Sequence, residues 1–327
     1  MVDEVARNIF RIGVPLPNNP LRELNSYFIR GTDGDLLIDT GFRNEICRAA
    51  LEEGLRELHS DPARRDVLIT HLHSDHSGMA DLFVGPDRHV SISGKDMEYI
   101  EAFLYDPDYR RRQRSRYIRE GLPAELEAEI FQTNPANQQT LKALTDQFVP
   151  IQEGDVLEVG EYRLETILVP GHTPGNAVFW CEKQGILFSG DHVLFDISPN
   201  ITVWDKVEDS LGNYLANLER IRSLPVKLTL PGHRKTGDFV DRIDWLLGHY
   251  QRRLDQVQWI LREHPGLTAY EITSRMTWRI RANSWEDFPI TQKWFATGEC
   301  LSHLDYLRKR GVVERREEDG RLCYYLL

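Results

Sequence analysis

Three histidines and an aspartate fall within six residues in the run Thr70-His71-Leu72-His73-Ser74-Asp75-His76-Ser77-Gly78. Packing alone does not explain such a cluster, because buried imidazoles and carboxylates cost free energy unless they find partners. Imidazole nitrogen and carboxylate oxygen are good ligands for zinc and related borderline metals. In an extended segment, residues two apart face the same side. His71 and His73 can therefore share one metal, while Asp75 and His76 follow where the chain turns and can reach a second.

Three later positions extend the pattern. His172 sits in Pro170-Gly171-His172-Thr173-Pro174-Gly175, Asp191 in Ser189-Gly190-Asp191, and His233 in Pro231-Gly232-His233. Each follows an apolar β run, on a loop that a rigid scaffold would hold in place. Taken singly, each reads as a turn residue; with the first cluster they complete a coordination set.

The surrounding pattern is that of a layered α/β chain. Ser26–Arg30 and Leu36–Asp39 are β-rich, and the Gly-Thr-Asp-Gly-Asp between them is a hairpin turn. Arg43–His59 has helical spacing, with Ile46, Ala49, Ala50, Leu55 and Leu58 on one face. Asp66–Thr70 is a short strand leading into the histidines. Residues about 96–148 read as charged helices with breaks at Pro107, Pro123 and Pro135, inserted over a strand-rich core. Strands resume at Val156–Leu168, Ala177–Trp180, Ile186–Ser189 and Leu228–Leu230. From about residue 241 the pattern becomes three helices (Asp241–Glu263, Thr268–Met276, Ile290–Arg310) and two strands around Glu-Glu-Asp-Gly, which is winged-helix order. The length of 327 residues agrees with two domains, divided as 1–240 and 241–327.

In His71, His73, Asp75 and His76 the chain resembles the metallo-β-lactamase superfamily, whose first motif is HxHxDH. His172, Asp191 and His233 match the later family motifs in order, and Asp39 in Leu37-Ile38-Asp39-Thr40-Gly41 matches another family position. The resemblance covers about residues 1–237. It implies a four-layer αββα sandwich with the metals at one edge. It further implies that His71, His73 and His172 hold one metal, that Asp75, His76 and His233 hold the other, and that Asp191 bridges them. Asp39 would orient a ligand histidine. A metal-bridging hydroxide would be the nucleophile, with Asp75 and Asp191 as the catalytic carboxylates. The C-terminal segment resembles the winged-helix module of one branch of the superfamily. The related di-iron flavoproteins carry glutamate at the position of His73. Histidine there favours zinc and hydrolysis, with iron or manganese as alternatives. Hydroxyacylglutathione hydrolases usually have histidine where this chain has Asn176.

Composition narrows the substrate. A net charge of −11 disfavours general nucleic-acid binding. No apolar run is long enough for a transmembrane helix, and the N-terminus lacks a secretory pattern, so a cytoplasmic enzyme without membrane contact is expected. The cysteines Cys47, Cys181, Cys300 and Cys323 form no framework and are expected to be reduced and buried. His192 is expected near the site or on the surface, and the histidines at 59, 89, 249, 264 and 303 on the surface. Arg111, Arg112 and Arg114, in the densest basic run, are either a solvated helix face or contacts to a substrate anion. The leading expectation is a binuclear metal hydrolase acting on a small ester, thioester or lactone. A metal-dependent endoribonuclease for single-stranded RNA is the alternative, and a winged-helix DNA-binding regulator the third. A homodimer is open.

Overall fold

The computed structural model describes residues 1–134, 137, 139–279 and 282–327, so the expected break at Pro135 lies outside the described residues. Among the described residues, two sheets stack face to face with helices outside both. In the first sheet β1 (Val2–Ala6), β2 (Ile9–Pro15), β3 (Glu23–Ile29) and β4 (Asp35–Ile38) pair antiparallel. Then β5 (Arg65–Leu68), β6 (Val90–Ser93) and β7 (Phe148–Ile151) continue it in parallel. In the second, β8 (Val156–Val159), β9 (Tyr162–Leu168), β10 (Ala177–Cys181) and β11 (Ile186–Gly190) are antiparallel, and β12 (Leu228–Pro231) runs parallel to β11.

The two-residue period of each strand assigns its side chains to layers. Ala177, Phe179 and Cys181 of β10 meet Tyr27, Ile29, Ile38 and Leu68 between the sheets. Val178 and Trp180, one residue out of phase, face the outer helices. On the far side of the first sheet, Phe28, Leu37 and Val67 pack against α1 (Glu45–Glu57). Asn44 caps α1 by accepting from the Cys47 amide. The buried face of α1 is Cys47, Leu51, Leu55 and then Leu58, while Ile46 is 55% exposed. The expected face was thus rotated: the four-residue spacing of 47, 51 and 55 sets the stripe. The short helices α2 (Ser74–Ser77) and α3 (Ala80–Phe83) follow β5.

Between the parallel strands β6 and β7 run α4 (Gly94–Tyr105), α5 (Pro107–Arg119) and α6 (Ala124–Thr133). A parallel pair needs such a crossover, so the expected insertion joins two strands of the sheet. Pro107 opens α5 behind the cap Asp106, where a missing N–H costs nothing.

The outer face of the second sheet carries α7 (Ser210–Ile221), α8 (Phe239–Glu263), α9 (Ala269–Arg275) and α10 (Ile290–Lys309). A three-stranded sheet, β13 (Leu267–Thr268), β15 (Arg321–Leu326) and β14 (Val313–Glu318), closes the C-terminal end. Asp319 and Gly320 take positive φ in the β14–β15 turn, as a tight hairpin requires. Helix order and hairpin follow the sequence pattern. One hydrophobic cluster runs from Val178, Trp180 and Leu187 through Tyr250 and Leu254 to Leu304 and Tyr324. The C-terminal segment therefore shares its core with the second sheet, and a division at 240/241 would cut α8 after two residues. His303, expected on the surface, is fully buried: its Nδ1 donates to the Glu299 carbonyl inside α10. His249 is half-buried against Trp245, and His59, His89 and His264 are exposed. All four cysteines are buried and unpaired.

Phe179 is fully buried between the sheets. Phe179→Ala is expected to destabilise the fold by about 3–5 kcal/mol, measured by denaturant unfolding. A second expectation concerns Glu120, at the end of α5. Its carboxylate accepts from the Tyr324 hydroxyl (2.8 Å), and its backbone carbonyl accepts from the Tyr270 amide. Burial pushes this carboxyl up from 4.5 to about 7. The folded protein thus holds the proton more tightly than the unfolded chain. The stability this group contributes is present below about pH 4.5 and lost as the pH rises to about 7. In Glu120→Gln that part of the pH–stability profile should flatten; an unaltered slope would remove Glu120 as its source.

Candidate metal centre

The loops after β5, β9, β11 and β12 meet at one edge of the sandwich. They bring together all seven residues expected to be ligands. Three sets have donor atoms within 4.8 Å of one another: His71, His73 and His172; His71, His76 and Asp191; and Asp75, His76 and His233. His71 Nε2 stands 3.1 Å from His73 Nδ1, and His76 Nε2 stands 3.2 Å from His233 Nε2. Asp191 lies between the sets, 3.5 Å from both His76 Nε2 and His233 Nε2 and 3.8 Å from His172 Nε2. Asp75 Oδ2 is 3.4 Å from His233 Nε2.

In four of the five histidines the other ring nitrogen is engaged, which orients the donor. His172 Nδ1 donates to the Asn200 carbonyl and His233 Nδ1 to the Glu23 carbonyl, each at 2.8 Å. His76 Nδ1 donates to Asp39 Oδ2 at 2.7 Å. The Thr70 hydroxyl also donates to Asp39 Oδ2, at 2.8 Å. A hydroxyl has one proton, so His71 Nδ1 must donate to Thr70 Oγ1 at 3.0 Å. Four imidazoles therefore turn Nε2 inward, as metal-binding histidines do. The inward-facing His172 Nε2 and Asp191 Oδ1 are buried with no hydrogen-bond partner. Those orphaned atoms, in a set of soft nitrogens and hard carboxylates, fit divalent cations.

The electrostatics agree. Burial, reinforced by neighbouring imidazoles, lowers His71 well below its usual value. Burial also takes His73 down to about 4 and His172 to about 3. All three are neutral at physiological pH and available as ligands. His76 goes the other way: against the lowering effect of burial, Asp39 and Asp191 push it up to about 10. Burial would raise Asp75, but the hydrogen bond from His233 and the nearby imidazoles hold it well below the carboxylate range.

Backbone detail makes room for the cluster. A Cβ on Gly232 would stand 2.6 Å from Asp191 Oδ1 and 2.7 Å from His76, so only glycine fits before His233. Asp39 takes a left-handed φ of 60°, which aims its carboxylate at Thr70 and His76.

Three residues were not found by sequence reasoning. Asp96, fully buried at the start of α4, accepts from the Leu72 amide (2.8 Å), the Thr173 hydroxyl (2.7 Å) and the Gly175 amide (2.6 Å). One carboxylate thus ties the His71–His76 loop to the His172 loop. Asn200 and Trp204 belong to the segment after Asp191. The Trp204 indole donates to the His172 carbonyl, and its ring stacks on His73 at 6.0 Å. No sequence signal marks these three, because they act through backbone groups and ring contact.

The remaining expectations divide. His192 is fully buried against Tyr214, which excludes the surface position. Asn176 is fully buried, and its side-chain atoms have no hydrogen-bond partner. Arg111 pairs with Asp108, and Arg112 pairs with Asp106 and reaches Asp205, next to Trp204. Arg114 lines a separate cleft between α5 and α10.

Asp96→Asn leaves one accepting oxygen and adds an NH2 donor that faces other donors. Zinc affinity is expected to fall about tenfold or more, read by competition with a chromophoric chelator. Unchanged affinity would make Asp96 a support of the fold alone.

Residues 20–233 match the profile of the metallo-beta-lactamase superfamily. The probable metallo-hydrolase YqjP of Bacillus subtilis is 26% identical over 332 residues, 97% of either chain. The human acyl-coenzyme A thioesterase MBLAC2 is 28% identical over 218 residues, 65% of this chain and 73% of that protein. The crystal structure of a beta-lactamase domain protein from Burkholderia ambifaria superposes with a TM-score of 0.85 at 27% identity, covering 100% of this chain and 94% of that one. With this architecture and this constellation of side chains, the chain belongs to the metallo-beta-lactamase superfamily.

Proposed function

We propose that the protein is a binuclear metal-dependent hydrolase of small acyl substrates, thioesters first and esters or lactones next. The observation that carries the reading is the convergence of five histidines and two aspartates that could hold metal ions, four of the histidines with their outward nitrogen already engaged. His71, His73 and His172 would hold one cation, Asp75, His76 and His233 the other, with Asp191 between. Zinc is the first choice of metal, with iron and manganese as alternatives. When bound, such cations polarise an acyl oxygen and make water a nucleophile near neutral pH. The thioester preference is supported by the human relative, which is named as an acyl-coenzyme A thioesterase.

The chain's own residues complete the chemistry. Asp75, held ionised by His233 and its neighbours, can orient the attacking water by accepting its hydrogen bond at Oδ2. Asp39 and the Asn200 and Glu23 carbonyls keep the imidazoles fixed through the reaction. Trp204 covers His73 and excludes bulk water from that side. A thiol nucleophile is disfavoured: burial raises all four cysteines, Cys181 and Cys300 to about 12.

The DNA-binding reading loses much of its basic surface to internal pairing. Arg308 pairs with Asp305, Lys309 with Glu208, Arg310 with Asp209 and Arg316 with Glu314. No helix among the described residues is long and apolar enough to cross a membrane.

The test is a hydrolysis panel of zinc-loaded protein on acyl thioesters, lactones, simple esters and single-stranded RNA. Thioester turnover is expected, falling about a hundredfold or more in Asp191→Ala with the fold retained. Cleavage of RNA alone would replace the acyl reading with a ribonuclease. Full activity in Asp191→Ala would overturn the two-metal site.

A further inference from the structure

A second cleft, of about 110 Å³, opens between α5, α6 and the start of α10. Its walls carry three aromatic rings, Phe103, Tyr109 and Trp294, and the amide side chains of Gln113 and Asn137. Arg110 and Arg114 stand at the same cleft, Arg110 with its guanidinium 4.3 Å over Phe103. Flat rings bind an aromatic heterocycle by stacking, amides read its hydrogen-bonding edge, and guanidinium groups bind phosphate. Together they suit a nucleotide. A whole small ligand fills about 300–1,000 Å³, so a cleft this size takes one end of a longer molecule.

A line of packed aromatic rings joins the cleft to the metal centre. The Tyr109 ring lies 6.5 Å from Tyr99, Tyr99 lies 5.5 Å from Trp204, and Trp204 lies 6.0 Å from His73. One continuous aromatic wall therefore runs from a metal-site imidazole to the cleft. Arg116 acts on both Tyr99 and Tyr109, and its Nη1 is buried with no hydrogen-bond partner. An anionic group lying along the wall would supply one. On a chain of net charge −11, the arginines of α5 give a polyanion a local place to dock.

We propose that this cleft binds the nucleotide end of a coenzyme A-type thioester, with the thioester arm laid along Tyr109, Tyr99 and Trp204 toward the metals. The proposal rests on the thioester reading for its substrate, but its site can be tested without turnover. Arg110 and Arg114, which line the cleft, rather than Arg111 and Arg112, are then the arginines of the run that meet substrate.

The experiment is a calorimetric titration of the zinc-loaded full-length protein with coenzyme A and, separately, with pantetheine. The two share the thiol, so any thiol–metal contact is common to both and the nucleotide alone separates them. Coenzyme A is expected to bind at least tenfold more tightly than pantetheine. That advantage should disappear in Arg110→Gln/Arg114→Gln and shrink in Gln113→Ala, with thermal melts confirming that both variants fold. Equal affinities in the wild type, or an advantage that survives the double variant, would overturn the cleft. Nucleotide-dependent binding without thioester turnover would keep the cleft and defeat the hydrolase reading. Turnover of thioesters without a nucleotide advantage would do the reverse.

Discussion

Seven metal-ligating side chains, nearly all stripped of water, sit within a few ångströms of one another, and the rest of the molecule is arranged around that cost. Five imidazole nitrogens and two carboxylates face a common centre, where Asp191 Oδ1 and His172 Nε2 find no hydrogen-bond partner. A polypeptide keeps such an arrangement only if the surrounding structure over-determines it. Here two buried carboxylates do much of that work without facing the centre themselves. Asp39 fixes Thr70 and His76, and through Thr70 it fixes His71. Asp96 joins the two histidine loops through three hydrogen bonds. The sandwich supplies the remaining rigidity, because the loops carrying His71–His76, Asp191 and His233 leave strands that are largely buried on both faces.

This division explains what the sequence could tell. Ligands are legible because their chemistry is local: HxHxDH is contiguous, and His172, Asp191 and His233 each follow a glycine after an apolar run. The four layers were expected from the family resemblance alone: β10 is apolar throughout, so only the packed sheets separate its inner side chains from its outer ones. Asp96 is illegible because its partners are 24 to 79 residues away. Asn200 acts through a carbonyl that any residue would carry. The same limit applies to α1, where helical spacing allowed two overlapping faces and only the β2 and β3 side chains beneath it selected Cys47, Leu51 and Leu55. The parallel strands β6 and β7 are four residues each, too short to stand out beside the helices they bracket.

Burial of histidines was the weakest inference. His303, isolated in sequence, was expected on the surface and His192, next to Asp191, near the site or on the surface, yet burial lowers both to about 3, so each is carried inside as a neutral ring. A neutral imidazole is a modest polar group, and its burial is tolerable where an aromatic neighbour packs against it, as Tyr214 does for His192 and Tyr250 for His303.

The C-terminal segment is best understood from the same centre. Glu299 on α10, whose carboxyl is raised by burial and restrained by Arg253 of α8, reaches Asn200, and the Asn200 carbonyl holds His172. Ser302 donates to the Ile201 carbonyl, and Tyr250 donates to that of Pro199. Gly298 lies so close to Thr202 that a Cβ would stand 2.4 Å from its hydroxyl. Two helices that resemble part of a DNA-reading module thus serve as the back wall of the loop carrying Asn200 and Trp204. Several of its cations pair with carboxylates, some its own and some of the catalytic part, and its apolar surface packs on the second sheet. What such a segment can still offer is shape. By pressing Trp204 onto His73 and presenting Trp294 to the neighbouring cleft, it sets which molecules reach the metals and from which side.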